Sequence, residues 1–113
     1  MLKSLRKHIR TARERLFPYL GQFVVRRYDE EPTPLKTGIV YLIGEKGHEW
    51  TTSFICPCGC RQIIRLNLLP HEDRPTWKIH ADWQKRATIT PSVWRHVGCR
   101  SHFTMKKGRV RMV

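Results

Sequence analysis

Acidic residues are scarce in this chain: nine Asp and Glu stand against 22 Lys and Arg over 113 residues, a formal net charge of +13. Such an excess gives affinity for phosphates, but charge alone does not name a partner. Long apolar runs are missing as well. None approaches the roughly 18 residues that span a bilayer, and the basic first segment lacks the continuous apolar stretch of a secretory signal. The expectation is a soluble, cytoplasmic protein with no membrane partner. No internal repeat or low-complexity tract is visible. Cysteine is limited to four residues, confined to two places. What is present in quantity is apolar and aromatic side chain, 40% and 10% of the chain, too much for a disordered basic tail. The length suits one domain and is short for a self-sufficient core, so a metal staple is plausible.

The charge divides the chain. Residues 1–27 carry eight basic side chains against Glu14 alone. Leu2, Leu5, Ile9, Ala12 and Leu16 recur there at spacings of three and four, which predicts an amphipathic helix ended by Pro18. Its apolar stripe suits docking on the domain or a partner, and its basic back suits a phosphate-binding arm or, being Arg-rich and acid-poor, a transit peptide. We therefore divide the chain into a basic helical extension (1–27), a linker (28–36) holding Asp29, Glu30, Glu31, Pro32 and Pro34, and a zinc-stapled β domain (37–113).

Within that domain GIVYLI at 38–43, WTTSFI at 50–55 and RQIIRLNLL at 61–69 read as strands. Residues 77–80, 87–90, 101–105 and 109–113 follow, the last two joined as a hairpin across Lys106, Lys107 and Gly108. The expected class is mainly β, a small curled antiparallel sheet with a zinc knuckle, α+β overall once the N-terminal helix is counted. Trp50, Trp77, Trp83 and Trp94 read most simply as core residues of this small domain, with a place for one of them along a substrate groove.

The cysteines cluster as Cys56, Cys58 and Cys60 in CPCGC and Cys99 in GCRSHF, which in a cytosolic setting favours metal over disulfides. Sulfurs around tetrahedral zinc lie about 3.7 Å apart, whereas residues two apart on a strand are separated by roughly 6.7 Å, so the backbone must fold back. Pro57, with its fixed φ, and Gly59, free to take positive φ, are residues a tight knuckle needs. His102 follows Cys99 with the usual two-residue gap. That makes five candidate ligands for four positions. A catalytic metal would also need an open position and a carboxylate base; Glu49 and Asp82 are the candidates, and neither sits in a metal-hydrolase motif.

CPCGC, followed by IRLNLLP, PTWKI, TITPSVWRHVGCRSHF and the terminal KKGRVRMV, resembles a bacterial domain-of-unknown-function family marked by CPCGCG, PSxW and GCxSHF motifs. The resemblance runs from about residue 35 to the end. It implies association with bacterial ubiquitin-like conjugation operons, a serine-type peptidase activity, and ubiquitin-like proteins or conjugation enzymes as partners. The chain departs from the pattern at Arg61, where a glycine usually follows CPCGC, and at Thr104, where an aromatic is common.

If all four cysteines bind zinc, His102 is left as a general base, and Ser92, carried over from PSxW, is the nucleophile. Thr90 and Pro91 read as an N-cap and first helical residue, placing Ser92 in a first helical turn with free N–H groups for an oxyanion. Asp82 is a candidate third member, Ser101 a reserve nucleophile and His80 a fallback base. Arg95 and Arg100, in the same motif run, are candidates for substrate binding. If His102 is instead a ligand, the site is a structural Cys₃His zinc or a cysteine-based activity. Two other classes stay open: a zinc-stabilised nucleic-acid binder, whose affinity falls steeply with salt, and a non-catalytic adaptor.

Overall fold

A computed structural model describes residues 21–113. The helix expected over residues 1–17, with its docking, phosphate-binding and transit readings, lies outside the described residues. Eight strands are described: β1 (Val24–Tyr28), β2 (Ile39–Glu45), β3 (His48–Ile55), β4 (Ile63–Asn67), β5 (Lys78–Ala81), β6 (Ala87–Trp94), β7 (His102–Lys106) and β8 (Arg109–Met112). They form two four-stranded sheets, ordered β1-β2-β3-β4 and β5-β6-β7-β8.

The expected class is corrected by this arrangement. The described chain is all-β with no helix, and it builds two sheets rather than one. Nor is the pairing wholly antiparallel, because β1 runs parallel to β2, Val25 opposite Val40. Alternating apolar residues report which face of a strand is buried but not which strands share a sheet. Strand β1 was hidden by its Arg26 and Arg27, which read as part of the basic extension.

The segment Gln22–Val25 ties the sheets together. Phe23 donates its N–H to the Gly108 carbonyl at 2.8 Å and accepts from Ala87 N–H at 3.0 Å, while Val25 N–H donates to Lys85 at 2.7 Å. Gly108, in the expected β7–β8 turn, has φ 78°, and a Cβ there would meet the Phe23 carbonyl oxygen at 2.8 Å. Only glycine fits this junction.

The main core holds Phe23 and Phe54 edge to face at 6.0 Å, and Phe54 and Phe103 edge to face at 6.2 Å. All three are fully buried, in the geometry in which aromatic rings add to simple area burial. Val25, Val40, Ile64, Leu66, Ile89, Val93 and Met105 join them, with Cys56 buried in the same cluster. On β6 and β7 the inward set Ala87, Ile89, Val93, Phe103 and Met105 is buried. Their neighbours therefore point outward, and that outer face of the second sheet positions the site.

Candidate active site and cysteine cluster

The first turn of helix expected at Ser92 does not form; residues 87–94 are extended throughout β6. A Thr-Pro cap signal is local, and the run ATITPSVW is rich in β-branched and aromatic residues that favour the ladder with β7. The ladder is irregular at this point. Ile89 opposes Met105 and Val93 opposes Phe103, so β6 spends four residues where β7 spends two. The surplus lies in a bulge that contains Thr90, the cis-linked Pro91 and Ser92. Bulges of this kind re-aim side chains.

Ser92 and Trp94, two residues apart, share the outer face, and Trp94 pairs across the ladder with His102. Ser92 Oγ lies 3.0 Å from His102 Nε2. The Trp94 indole lies over the imidazole, centroids 5.0 Å apart and planes within 9°; on its own strand's side it also meets His96 at 4.9 Å. The Trp77 indole N–H donates to the Ser92 carbonyl at 3.3 Å, anchoring the bulge from the side of β5. Trp50, Trp83 and Trp94 were expected in the core but are 44%, 84% and 58% exposed. For Trp94 the period-two alternation that puts it on the same face as Ser92 was the available signal.

The other candidates fall elsewhere. Asp82 does not approach His102: it holds Arg86, with Arg86 Nε donating to Oδ2 at 2.6 Å and the Arg86 and Gln84 amides donating to Oδ1 at 2.9 and 3.0 Å. Desolvation acts upward on its carboxyl, but the hydrogen bonds and charge of Arg86 outweigh this and hold it below its ordinary value. Among the described residues no carboxylate hydrogen-bonds His102, so the described pair is a dyad. His80 is exposed on β5 opposite Thr88. Glu49 accepts from the Gly47 amide in the β2–β3 turn.

Of the five candidate ligands, the four cysteines cluster and His102 meets Ser92 instead. Phe103 points fully inward, so His102 points outward to Ser92. The sulfurs of Cys56, Cys58, Cys60 and Cys99 all lie within 4.8 Å of one another, Cys56 buried and the other three partly so. Cys56 Sγ is 3.4 Å from Cys58 Sγ and 3.7 Å from Cys99 Sγ. These are separations of ligands around one tetrahedral ion, and far from the bond length of a disulfide. Gly59 takes φ 95°, as the tight knuckle needs. Arg61 takes φ 64°, a conformation that glycine would reach at lower cost.

Burial pushes the Cys56 thiol up, and the Cys60 thiol likewise. At Cys99 desolvation acts in the same direction, but hydrogen bonds from the Ser101 side chain and backbone and from Cys58 and Cys56 outweigh it and lower the thiol to about 6. Ser101 Oγ lies 3.2 Å from Cys99 Sγ, so the reserve nucleophile belongs to the cysteine cluster. So does Arg95, whose NH1 donates to Gln62 Oε1 at 2.9 Å and lies 3.9 Å from Cys99 Sγ. Arg100 is exposed, with φ 53°, in the loop between β6 and β7.

A family model described as "Bacterial ubiquitination-like system serine protease (BubE)" matches residues 27–113. The chain belongs to this family. Membership of the BubE family supports the expected protease class and the association with a bacterial ubiquitination-like system. The matched span covers β2 to β8 and the last two residues of β1, and takes in Ser92, His102 and the four cysteines. No curated protein and no solved structure matches the chain.

Proposed function

We propose that the protein is a serine peptidase in which Ser92 is the nucleophile and His102 the general base, cleaving a ubiquitin-like protein or its conjugates in the cytoplasm. The observation that carries this reading is the 3.0 Å contact between Ser92 Oγ and His102 Nε2, in a chain whose family is described as a serine protease. That distance is within the reach a general base requires. In the active tautomer Nδ1 carries the ring proton and Nε2 is free. Ser92 Oγ attacks the substrate carbonyl carbon while Nε2 takes the hydroxyl proton, and the imidazolium returns that proton to the departing nitrogen as the C–N bond breaks. Water, deprotonated at Nε2, then attacks the Ser92 ester, and the proton passes back to Oγ as the acid leaves.

The cysteine cluster fits a structural Cys₄ zinc, since four thiols without an open position suit a closed site. Bound there, the ion would cross-link the CPCGC knuckle to the Gly98–Ser101 loop that leads into β7. It thereby fixes where β7 begins, and so where His102 stands. Ubiquitin-like proteins and their conjugating enzymes are the proposed partners. Arg95 is better suited to charge-assisted support of the Cys99 sulfur than to substrate, and Arg100 keeps an exposed place beside the site.

The test is cleavage of a ubiquitin-like precursor bearing a C-terminal extension. Ser92→Ala and His102→Ala are each expected to lower kcat/KM about a thousandfold or more with the fold intact. Cleavage that persists in folded Ser92→Ala removes the assignment.

A further inference from the structure

The outer face that carries Ser92 and His102 is charged with one sign only. On the four strands of this sheet there are four cations, Lys78, Lys106, Arg109 and Arg111, and neither Asp nor Glu. The register decides where they point. Val110 opposes Met105 and Met112 opposes Phe103, and because Met105 and Phe103 are buried, Val110 and Met112 turn inward and Arg109 and Arg111 outward. Arg111 opposes Thr104, Arg109 opposes Lys106, and on the far side Lys78 opposes Thr90 beside the bulge. All four cations are exposed. The ion pairs among the described residues engage Arg27, Arg65 and Arg86, and none of these four.

We infer that this face is the substrate-binding surface and that it takes an acidic stretch of polypeptide in extended conformation. The inference rests on the peptidase reading for the identity of the ligand as protein, and on strand register for its charge. Adjacent strands lie about 4.8 Å apart and residues two apart on a strand about 6.7 Å, which places the Arg111 backbone roughly 8 Å from that of His102. An extended substrate rises about 3.3 Å per residue, so an acidic side chain two or three residues from the scissile bond meets Arg111, with Arg109 and Lys106 beyond it. The guanidinium of an arginine pairs with carboxylates in a bidentate fork. Complementary charge of this kind selects partners and speeds encounter.

The experiment uses the full chain carrying Ser92→Ala, so that binding is read without turnover. A fluorescein-labelled decapeptide rich in Asp and Glu is titrated at low and physiological salt, beside a neutral peptide and a DNA duplex of equal length. Arg109→Glu with Arg111→Glu is expected to weaken acidic-peptide binding about tenfold or more, whereas the charge-matched pair Lys36→Glu with Lys46→Glu, in loops of the other sheet, changes it about twofold or less. All four positions are exposed, and circular dichroism checks that both proteins are folded. Equal losses in the two pairs reduce the effect to net charge and overturn the inference. Tighter binding of the duplex, lost in the Arg109/Arg111 pair, makes the face a nucleic-acid surface and overturns it too. The two claims fail separately: cleavage that survives Ser92→Ala sinks the catalytic assignment, and selective peptide binding sinks or stands without reference to cleavage.

Discussion

The His102 imidazole lies flat against the Trp94 indole, with planes 9° apart and centroids at 5.0 Å. Because Trp94 also sits two residues beyond Ser92, one strand supplies both the hydroxyl that His102 serves and the surface that fixes its ring plane. No described carboxylate bonds the ring, so in the proposed dyad the stack would restrain the ring plane, one of the tasks that the carboxylate performs in a triad. His102 is thereby oriented from the side rather than from behind.

Removing the indole should therefore cost turnover more than binding. A ring stack is worth about 1 kcal/mol, so Trp94→Ala is expected to lower kcat about fivefold, with KM nearly unchanged. Trp94→Phe, which keeps a ring, should recover most of it. A loss confined to KM would show that Trp94 contacts substrate instead.

Metal removal should destabilise the domain and, by freeing the loop that leads into β7, loosen the placement of His102. Even about 2 kcal/mol from the cluster corresponds to a fall in Tm of roughly 8–16 °C in a domain this size. A strong chelator, or Cys60→Ser, is expected to lower Tm by at least this much and to take zinc out of the protein, whereas Ser92→Ala should retain full metal content. Elemental analysis and thermal melts check both; an unchanged melt on chelation removes the staple.

On the other sheet Glu31 clasps β3 to β4, accepting from Ser53 Oγ and from Arg65 Nε and NH2 at 3.0 and 2.8 Å. The Arg65 and Ser53 hydrogen bonds hold its carboxyl below the ordinary value of 4.5. A depressed carboxylate contributes stability that is present above pH 4.5 and lost as pH falls through its folded value. The pair is partly exposed, so Glu31→Gln is expected to cost about 0.5 kcal/mol at pH 7. Urea melts should show that difference shrinking below pH 4.5; a gap that widens in acid would contradict the sign.

At the junction of the sheets, Gly108→Ala places a Cβ against the Phe23 carbonyl at 2.8 Å on a backbone at φ 78°. The expected loss is about 2 kcal/mol or more, read from denaturant melts. Gly47→Ala meets no atom within 4 Å at φ 83° and so isolates the backbone term, about 1 kcal/mol.

The cysteine part of the site was legible in local spacing, whereas Ser92 came from the PSxW resemblance. CPCGC with Cys99 marks four thiols able to hold a metal, and ligand separation requires a fold-back there that Gly59, free to take positive φ, permits. Strands β2, β3, β4, β7 and β8 could be read from alternation and turns. Other features depend on partners far along the chain. Cys99 and His102 have ligand-like spacing, but His102 on β7 meets Ser92, whereas Cys99, in the loop before that strand, joins the other three sulfurs. The Thr90-Pro91 pair looks like a helix start until the ladder with β7 is known. Arg26 and Arg27 disguised β1, and the pairing of Asp82 with Arg86, four residues on, could not be told from a catalytic role. Trp94 was within reach, two residues from Ser92, but exposed tryptophan is rarer than buried tryptophan and the general preference prevailed.

Activation by His102 should set Ser92 apart from every other hydroxyl in the chain. The most direct measurement is covalent labelling of the full chain with a fluorophosphonate, located by peptide mass spectrometry. The dyad predicts one adduct, on the peptide containing Ser92, lost in Ser92→Ala and strongly slowed in His102→Ala. Labelling at Ser101 or elsewhere, or at Ser92 with a rate indifferent to His102→Ala, would contradict it.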